Sequence, residues 1–194
     1  MKENNTLFLV EVAIFSALAY MLDLLSGALS QIWPQGGSVA ISMVPIFIMA
    51  FRWGLKGGIL SGFVLGLLQI VTGRFYGVDP VQISLDYIVA FMVLGFAGIV
   101  AKQVVTASKE DNLKKLILFV TFAIFIACLL RFTAHFVAGM IFFAHFAPEG
   151  QPVWIYSLIY NGSYMLPSFV VTTIVTVLLI KTVPRIFRFN QSIA

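Results

Sequence analysis

The chain has 194 residues, of which 60% are hydrophobic and only 10% charged, with a net charge of +4 and a mean hydropathy of +1.01. Soluble domains carry about 25% charged residues, so these few could not cover a water-facing surface, and a soluble globule is excluded. The basic residues lie between apolar runs rather than in one patch, which argues against nucleic-acid binding, and the single cysteine, Cys128, leaves no internal disulfide to form.

The elements follow as apolar runs of roughly 15 to 30 residues, long enough to be read as membrane helices. The first, 6–26, begins like a secretory signal but lacks a clear small-residue cleavage site, so it is read as a retained helix. On it Ala13 and Ala17 form a small-xxx-small face, with Ser16 and Ala19 nearby, of the kind that lets another helix approach closely in lipid. Glu11 and Asp23 lie near the ends of this span, where they snorkel or cap, and carry no assigned role. The loop "SQIWPQGGS" leads to 39–53, a short run expected to pack inside the bundle or to span incompletely. "RWGLKGG" separates it from 55–73, and "GRFYGVDP" precedes 81–103. "KQVVTASKEDNLKK" then precedes 114–143, "AHFAPEGQP" precedes 154–180, and "KTVPRIFRFNQ" closes the chain. The expectation is an all-α membrane protein, a six-transmembrane-helix bundle forming a single domain over 1–194.

Charge orients the bundle. Lys2, Arg52, Lys56, Lys102, Lys109, Lys114, Lys115, Lys181, Arg185 and Arg188 fall on one side, and Arg74 alone falls on the other. The positive-inside rule then places both termini in the cytoplasm and the loops near Trp33, Tyr76 and Glu149 outside.

Against this frame, "LLRFTAHFVAG" is anomalous, because Arg131 and His135 stand one helical turn apart inside an apolar run. At ~1.5 Å per residue, His135 lies about 12 Å below the outer surface, Asp86 about 8–9 Å and Asn161 about 10 Å. Three spans thus bring polar groups to one level. An unpaired charge there costs at least ~2.5–3.5 kcal/mol, so Asp86 is expected to pair with Arg131 or His135 and the groups to face inward. Gly139 and Phe143 continue the Arg131–His135 stripe. The result is an outward-opening polar cavity walled by Tyr76, Tyr87, Phe143, Trp154, Tyr156, Tyr160 and Tyr164, a small-molecule site suited to a flat cation. Buried Asp–Arg or His–Asn contacts also serve as plain interhelical glue, and Trp154 and Tyr156 also suit an interfacial belt.

No phosphate-binding loop is present, so this chain does not itself hydrolyse ATP. It has no His/Cys metal pattern, and Ser163 in "YNGSY" lacks a nucleophile elbow, so neither a metal nor an enzyme is expected.

Taken together, "PQGGSVAI", "FRWGLKGG", "PVQISLDYIVA", "LLRFTAHFVAG" and "PVWIYSLIYNGSYMLPSF" resemble the thiamin-specific substrate-binding (S) components of energy-coupling factor transporters, over essentially the whole chain. The resemblance implies a high-affinity thiamin receptor in the cell membrane. Its implied partners are a transmembrane coupling protein and two ABC-type ATPases that use the ATP, with no cofactor in this chain. It also implies that Ala13 and Ala17 dock the coupling protein, and that Asp86 recognises the aminopyrimidine. Substrate contacts are implied for His135, Tyr156, Asn161, Tyr76, Tyr87, Arg131, Gly139 and Phe143. The sequence departs from relatives that carry Trp at the position of Phe143, Lys at that of Arg131 and Trp at that of Gly36, where Trp33 is the stand-in. An S component for a related vitamin, or a solitary proton-coupled transporter of an aromatic cation using Asp86 and His135, are the alternative readings.

Overall fold

The structure, a computed structural model, describes residues 2–29, 32–77 and 79–187, with side chains from residue 5 onward except that of Leu29. The Lys2 side chain and Arg188, counted above toward orientation, and Ser30 and Gln31 of the first loop lie outside the described residues.

Among the described residues there is no strand, and five helices are long and apolar enough to cross a membrane. They are α1 (Lys2–Leu29), α2 (Met43–Val71), α3 (Pro80–Lys109), α4 (Leu113–Phe142) and α5 (Val153–Thr182). Short 3₁₀ turns follow α4 at Ala144–Phe146 and α5 at Pro184–Phe187.

The runs 39–53 and 55–73, expected as separate spans, belong to the one element α2. Its course breaks at Gly54, which has φ 70° and ψ −162°, a conformation open to glycine and strained for other residues. A Cβ built on Gly58 would lie 2.8 Å from that of Ala50. Eight residues of straight helix would separate those positions by about 12 Å, so the two halves of α2 fold back against each other at Gly54. The first half is the centre of the bundle, with every residue from Met43 to Phe51 buried.

The second half carries Gly58, Gly62 and Gly66 at four-residue spacing on one face. A Cβ on Gly58 would lie 2.5 Å from Gly95 Cα, one on Gly62 2.6 Å from the Phe91 carbonyl carbon, and one on Gly66 2.9 Å from that of Tyr87. Backbone therefore lies directly on backbone, the arrangement small residues permit where lipid supplies no hydrophobic drive. Opposite these glycines α3 departs from regular geometry. Asp79 caps it through its Oδ1, accepting from the backbone N–H of Val81 at 2.7 Å, with Pro80 in the first turn. A π-helical stretch, Ser84–Val89, then carries Asp86 and Tyr87, and a 3₁₀ stretch spans Val93–Val100. Single π turns inside helices are common at functional sites.

At the Gly54 end, Glu11 of α1 forms a 2.5 Å ion pair with Arg52 and accepts a 2.6 Å hydrogen bond from Trp53 Nε1. Arg52 also donates to the Ile186 carbonyl. Glu11 is thus a fixed interhelical contact rather than a snorkelling end group. On α1, Ser16 and Ala19 are buried, Ser16 donating to the Ser61 carbonyl at 3.2 Å, while Ala13 and Ala17 are exposed.

Candidate functional site

At the end of the bundle opposite the Gly54 turn lies a cavity of about 470 Å³. Trp33 reaches it from the first loop, and Tyr76 from the segment after α2. Asp86 and Tyr87 come from α3, Arg131, His135 and Gly139 from α4, Phe143 from the end of α4, and Tyr156 and Asn161 from α5. The ten residues expected to contact substrate therefore line one space.

Its polar centre is a chain of hydrogen bonds. Arg131 Nε lies 3.3 Å from His135 Nε2, and His135 Nδ1 lies 2.8 Å from Asp86 Oδ1. A guanidinium only donates, so Nε2 accepts and the ring proton sits on Nδ1, from which it is donated to the carboxylate. The arrangement describes a neutral imidazole between a fixed cation and a fixed anion. Arg131 is buried, with its guanidinium carbon 4.0 Å from the centre of the Phe91 ring, and its Nη1 has no hydrogen-bond partner among the described residues. The Asp86–His135 pairing is thus direct, and Arg131 joins it through the imidazole.

Asn161 is engaged on both ends of its amide. Its Nδ2 donates to the Ser157 carbonyl at 2.9 Å, and its Oδ1 accepts from Tyr164 Oη at 2.5 Å. The edges of His135 and Asn161, expected to serve a ligand directly, are thus turned to protein partners: Asp86 of α3 and Arg131 one turn away take the imidazole, and Ser157 and Tyr164 on neighbouring turns of α5 take the amide. A Cβ on Gly139 would lie 3.2 Å from Asn161 Nδ2 and closer still to Ser157, so glycine is what allows α5 to seat this amide against α4.

Aromatic rings form the rest of the wall. Tyr76 stacks on Phe143 with centroids 5.9 Å apart and planes inclined by 21°. The Tyr87 hydroxyl accepts from the Tyr76 backbone N–H at 2.8 Å, which fixes the segment after α2 to α3. Tyr156 and Tyr160 lie 5.7 Å apart. Trp154, expected among them, does not line the cavity and is 53% exposed, since two helical residues turn it about 200° away from Tyr156.

The first loop covers one side. Tyr160 Oη donates to the Gly36 carbonyl at 2.7 Å and accepts from the Gln35 N–H at 3.1 Å, and Ala40 N–H donates to Ser168 Oγ at 3.0 Å. Trp33 Nε1 donates to Ser163 Oγ at 2.7 Å, so this serine holds the loop. Gly37, at φ 113°, sits where a Cβ would lie 2.7 Å from the Tyr164 ring.

The cavity also holds residues that the sequence reading passed over: Asp23 of α1, Gln69 of α2, Phe91 of α3 and, at an exposed position, Arg74. Asp23 is the largest omission. A carboxylate six residues from a helix end reads as an interfacial group until the neighbouring helix places Gln69 opposite it.

A family model described as thiamine transporter protein (Thia_YuaJ) matches residues 9–188. The chain belongs to this family of thiamine transporters. It is 48% identical over 184 residues to the thiamine transporter ThiT of Bacillus subtilis (strain 168), covering 95% of each chain. It is 31% identical over 193 residues to ThiT of Lacticaseibacillus paracasei, covering 96% of this chain and 92% of that one. A solved structure of ThiT from Listeria monocytogenes has the same fold, with a TM-score of 0.84 and 31% identity over 95% of this chain and 98% of that one. Membership in a transporter family agrees with the membrane-length helices, and the protein is a multi-pass membrane protein.

Proposed function

We propose that this chain is the thiamin-binding S subunit of an energy-coupling factor importer, capturing thiamin from outside the cell. The observation that carries the reading is the Asp86 carboxylate, held at 2.8 Å by His135 on the wall of an aromatic-lined cavity. His135 occupies Oδ1, which leaves Oδ2 to accept from the 4-amino group of the aminopyrimidine. His135 sets this carboxylate and offers its ring face, while Asn161, buttressed through Gly139, holds Tyr164 in the wall. Tyr76, Tyr87, Phe143, Tyr156 and Trp33 present π faces to the thiazolium, a contact worth about 0.5–2 kcal/mol per well-placed ring. Asp23 and Asp86 put two carboxylates on the cavity wall, alongside the guanidiniums of Arg131 and Arg74, and the Asp86 carboxylate supplies the local negative charge that suits a cationic guest.

In this reading the single domain, 1–194, crosses the membrane six times with both termini in the cytoplasm. The fold-back of α2 at Gly54 supports the count, and the basic residues at that end support the orientation. The loop carrying Trp33 and Gly37 closes over bound thiamin. The exposed Ala13 and Ala17 receive the transmembrane coupling protein, whose two ABC-type ATPases use the ATP, and this chain needs no cofactor of its own. Binding tight enough to collect a scarce vitamin also opposes release, so external work is needed to empty the site.

Mass spectrometry of the small molecule that copurifies with the protein, together with liposome uptake, tests the proposal. Intact thiamin should be recovered, and uptake should require the coupling protein, the ATPases and ATP. Uptake by this chain alone, driven by a pH gradient, would instead establish the proton-coupled alternative built on Asp86 and His135.

A further inference from the structure

Another cavity, of about 340 Å³, opens at the Gly54 end of the bundle, between the last turns of α3 and the first turns of α4. A Cβ on Gly98 would lie 2.5 Å from the Leu55 nitrogen, which sets this part of α3 against the fold-back of α2 and away from the aromatic-lined cavity. Lys102, Thr106 and Glu110 follow at four-residue spacing on one face of α3, with Gln103 beside them. Lys115 and Phe119 line the opposite wall one turn apart on α4, and the buried Ala107 completes the lining. Glu110 and Lys115 pair at 3.1 Å near the turn that joins the two helices. Lys102 lies deeper. It precedes the end of α3 by two helical turns, or about 10 Å, and has no ion pair among the described residues.

From this we infer that the cavity holds the headgroup of an anionic phospholipid of the cytoplasmic leaflet. The charge balance selects the headgroup. The lining carries two lysines and one glutamate, and Glu110 is already paired with Lys115, which leaves a single positive charge at Lys102. Around the rim, Lys109 and Lys114 outweigh Asp111. A phosphodiester carries one negative charge and so matches Lys102, while the exposed Thr106 hydroxyl and Gln103 amide can donate to its oxygens. A lysine stem lies along apolar surface while its ammonium reaches such an anion at the interface. The opposite wall selects a lipid over a free anion. Phe119 stands at a depth similar to that of Lys102, and its neighbours Leu118 and Phe122 are exposed, so an acyl chain can continue along apolar surface. The negative potential of the cytoplasmic leaflet enriches basic pockets between helices in anionic headgroups. The site takes only its orientation from the reading above and is independent of what the outer cavity binds.

The experiment is thermal unfolding of the purified full chain in detergent, with phosphatidylglycerol, phosphatidylcholine or inorganic phosphate added. Phosphatidylglycerol should raise the melting temperature by about 3 °C or more, as expected near tenfold its dissociation constant, and the other two should not. Lys102→Gln should lose most of that shift, and Lys102→Arg, which keeps the charge, should retain it. Thr106→Val removes a donor from the same wall and should also reduce the shift, which provides the test if Lys102→Gln does not fold. Lys56→Gln, exposed at the same end but outside the cavity, should leave the shift intact. An equal shift with phosphatidylcholine would overturn the choice of an anionic headgroup, and one with inorganic phosphate would replace the lipid by a free anion. Equal losses in Lys102→Gln and Lys56→Gln would overturn the site in favour of diffuse surface charge. Each of these results would leave the thiamin reading standing.

Discussion

Gly66→Ala perturbs the site without touching it. Gly66 is not a cavity residue, yet a Cβ there would lie 2.9 Å from the Tyr87 carbonyl carbon and closer still to its oxygen. Carbon–carbon contacts are comfortable at about 3.5–4.0 Å, so α2 and α3 must separate locally by roughly 0.6–1 Å. Both partners are backbone, so no flexible side chain can absorb the change. Overpacking of this kind costs about 1–3 kcal/mol. The displaced segment is the π-helical stretch that carries Asp86 and Tyr87, and binding constellations tolerate about 0.5 Å before losing function. Thermal unfolding of the purified protein should shift downward, and thiamin affinity should fall about tenfold or more, equivalent to about 1.4 kcal/mol or more. Gly162→Ala is the control, because among the described residues no packing neighbour lies within 4 Å of a Cβ there, and alanine is the better helix former. Unchanged affinity in Gly66→Ala would refute the argument that the glycine face positions the carboxylate.

Gly37→Ala should speed thiamin dissociation in stopped-flow fluorescence, since both its φ of 113° and the Tyr164 ring oppose a side chain on the closing loop. Asn161→Leu should destabilise the protein by about 1–3 kcal/mol by leaving the buried Tyr164 hydroxyl without its acceptor, read as a lowered melting temperature with and without thiamin. Ala13→Trp and Ala17→Trp, on an exposed face of α1, should leave calorimetric thiamin binding unchanged and abolish uptake in cells that contain the whole importer.

Much of this arrangement was legible from the sequence because lipid penalises polar groups so heavily. Arg131, His135, Asp86 and Asn161 stood out against apolar runs, and helical rise alone put them near one level. The short run at 39–53 announced its burial by being too short for a comfortable span. What escaped was whatever depends on two helices at once. Asp23 looked interfacial by position, and only Gln69, 46 residues away, turns it into part of the cavity. The four-residue spacing of Gly58, Gly62 and Gly66 went unread in the sequence, because its consequence, the close packing against the irregular stretch of α3 that holds Asp86, depends on the backbone it meets. Trp154 was assigned to the wall on residue type, whereas helical phase directs it outward.

The most direct measurement is isothermal titration of thiamin into the purified parent and into Asp86→Ala. Tight, stoichiometric binding by the parent and a loss of at least tenfold in the variant are the predicted results. Equal affinity of the two proteins would contradict the assignment of Asp86 as the group that recognises the vitamin.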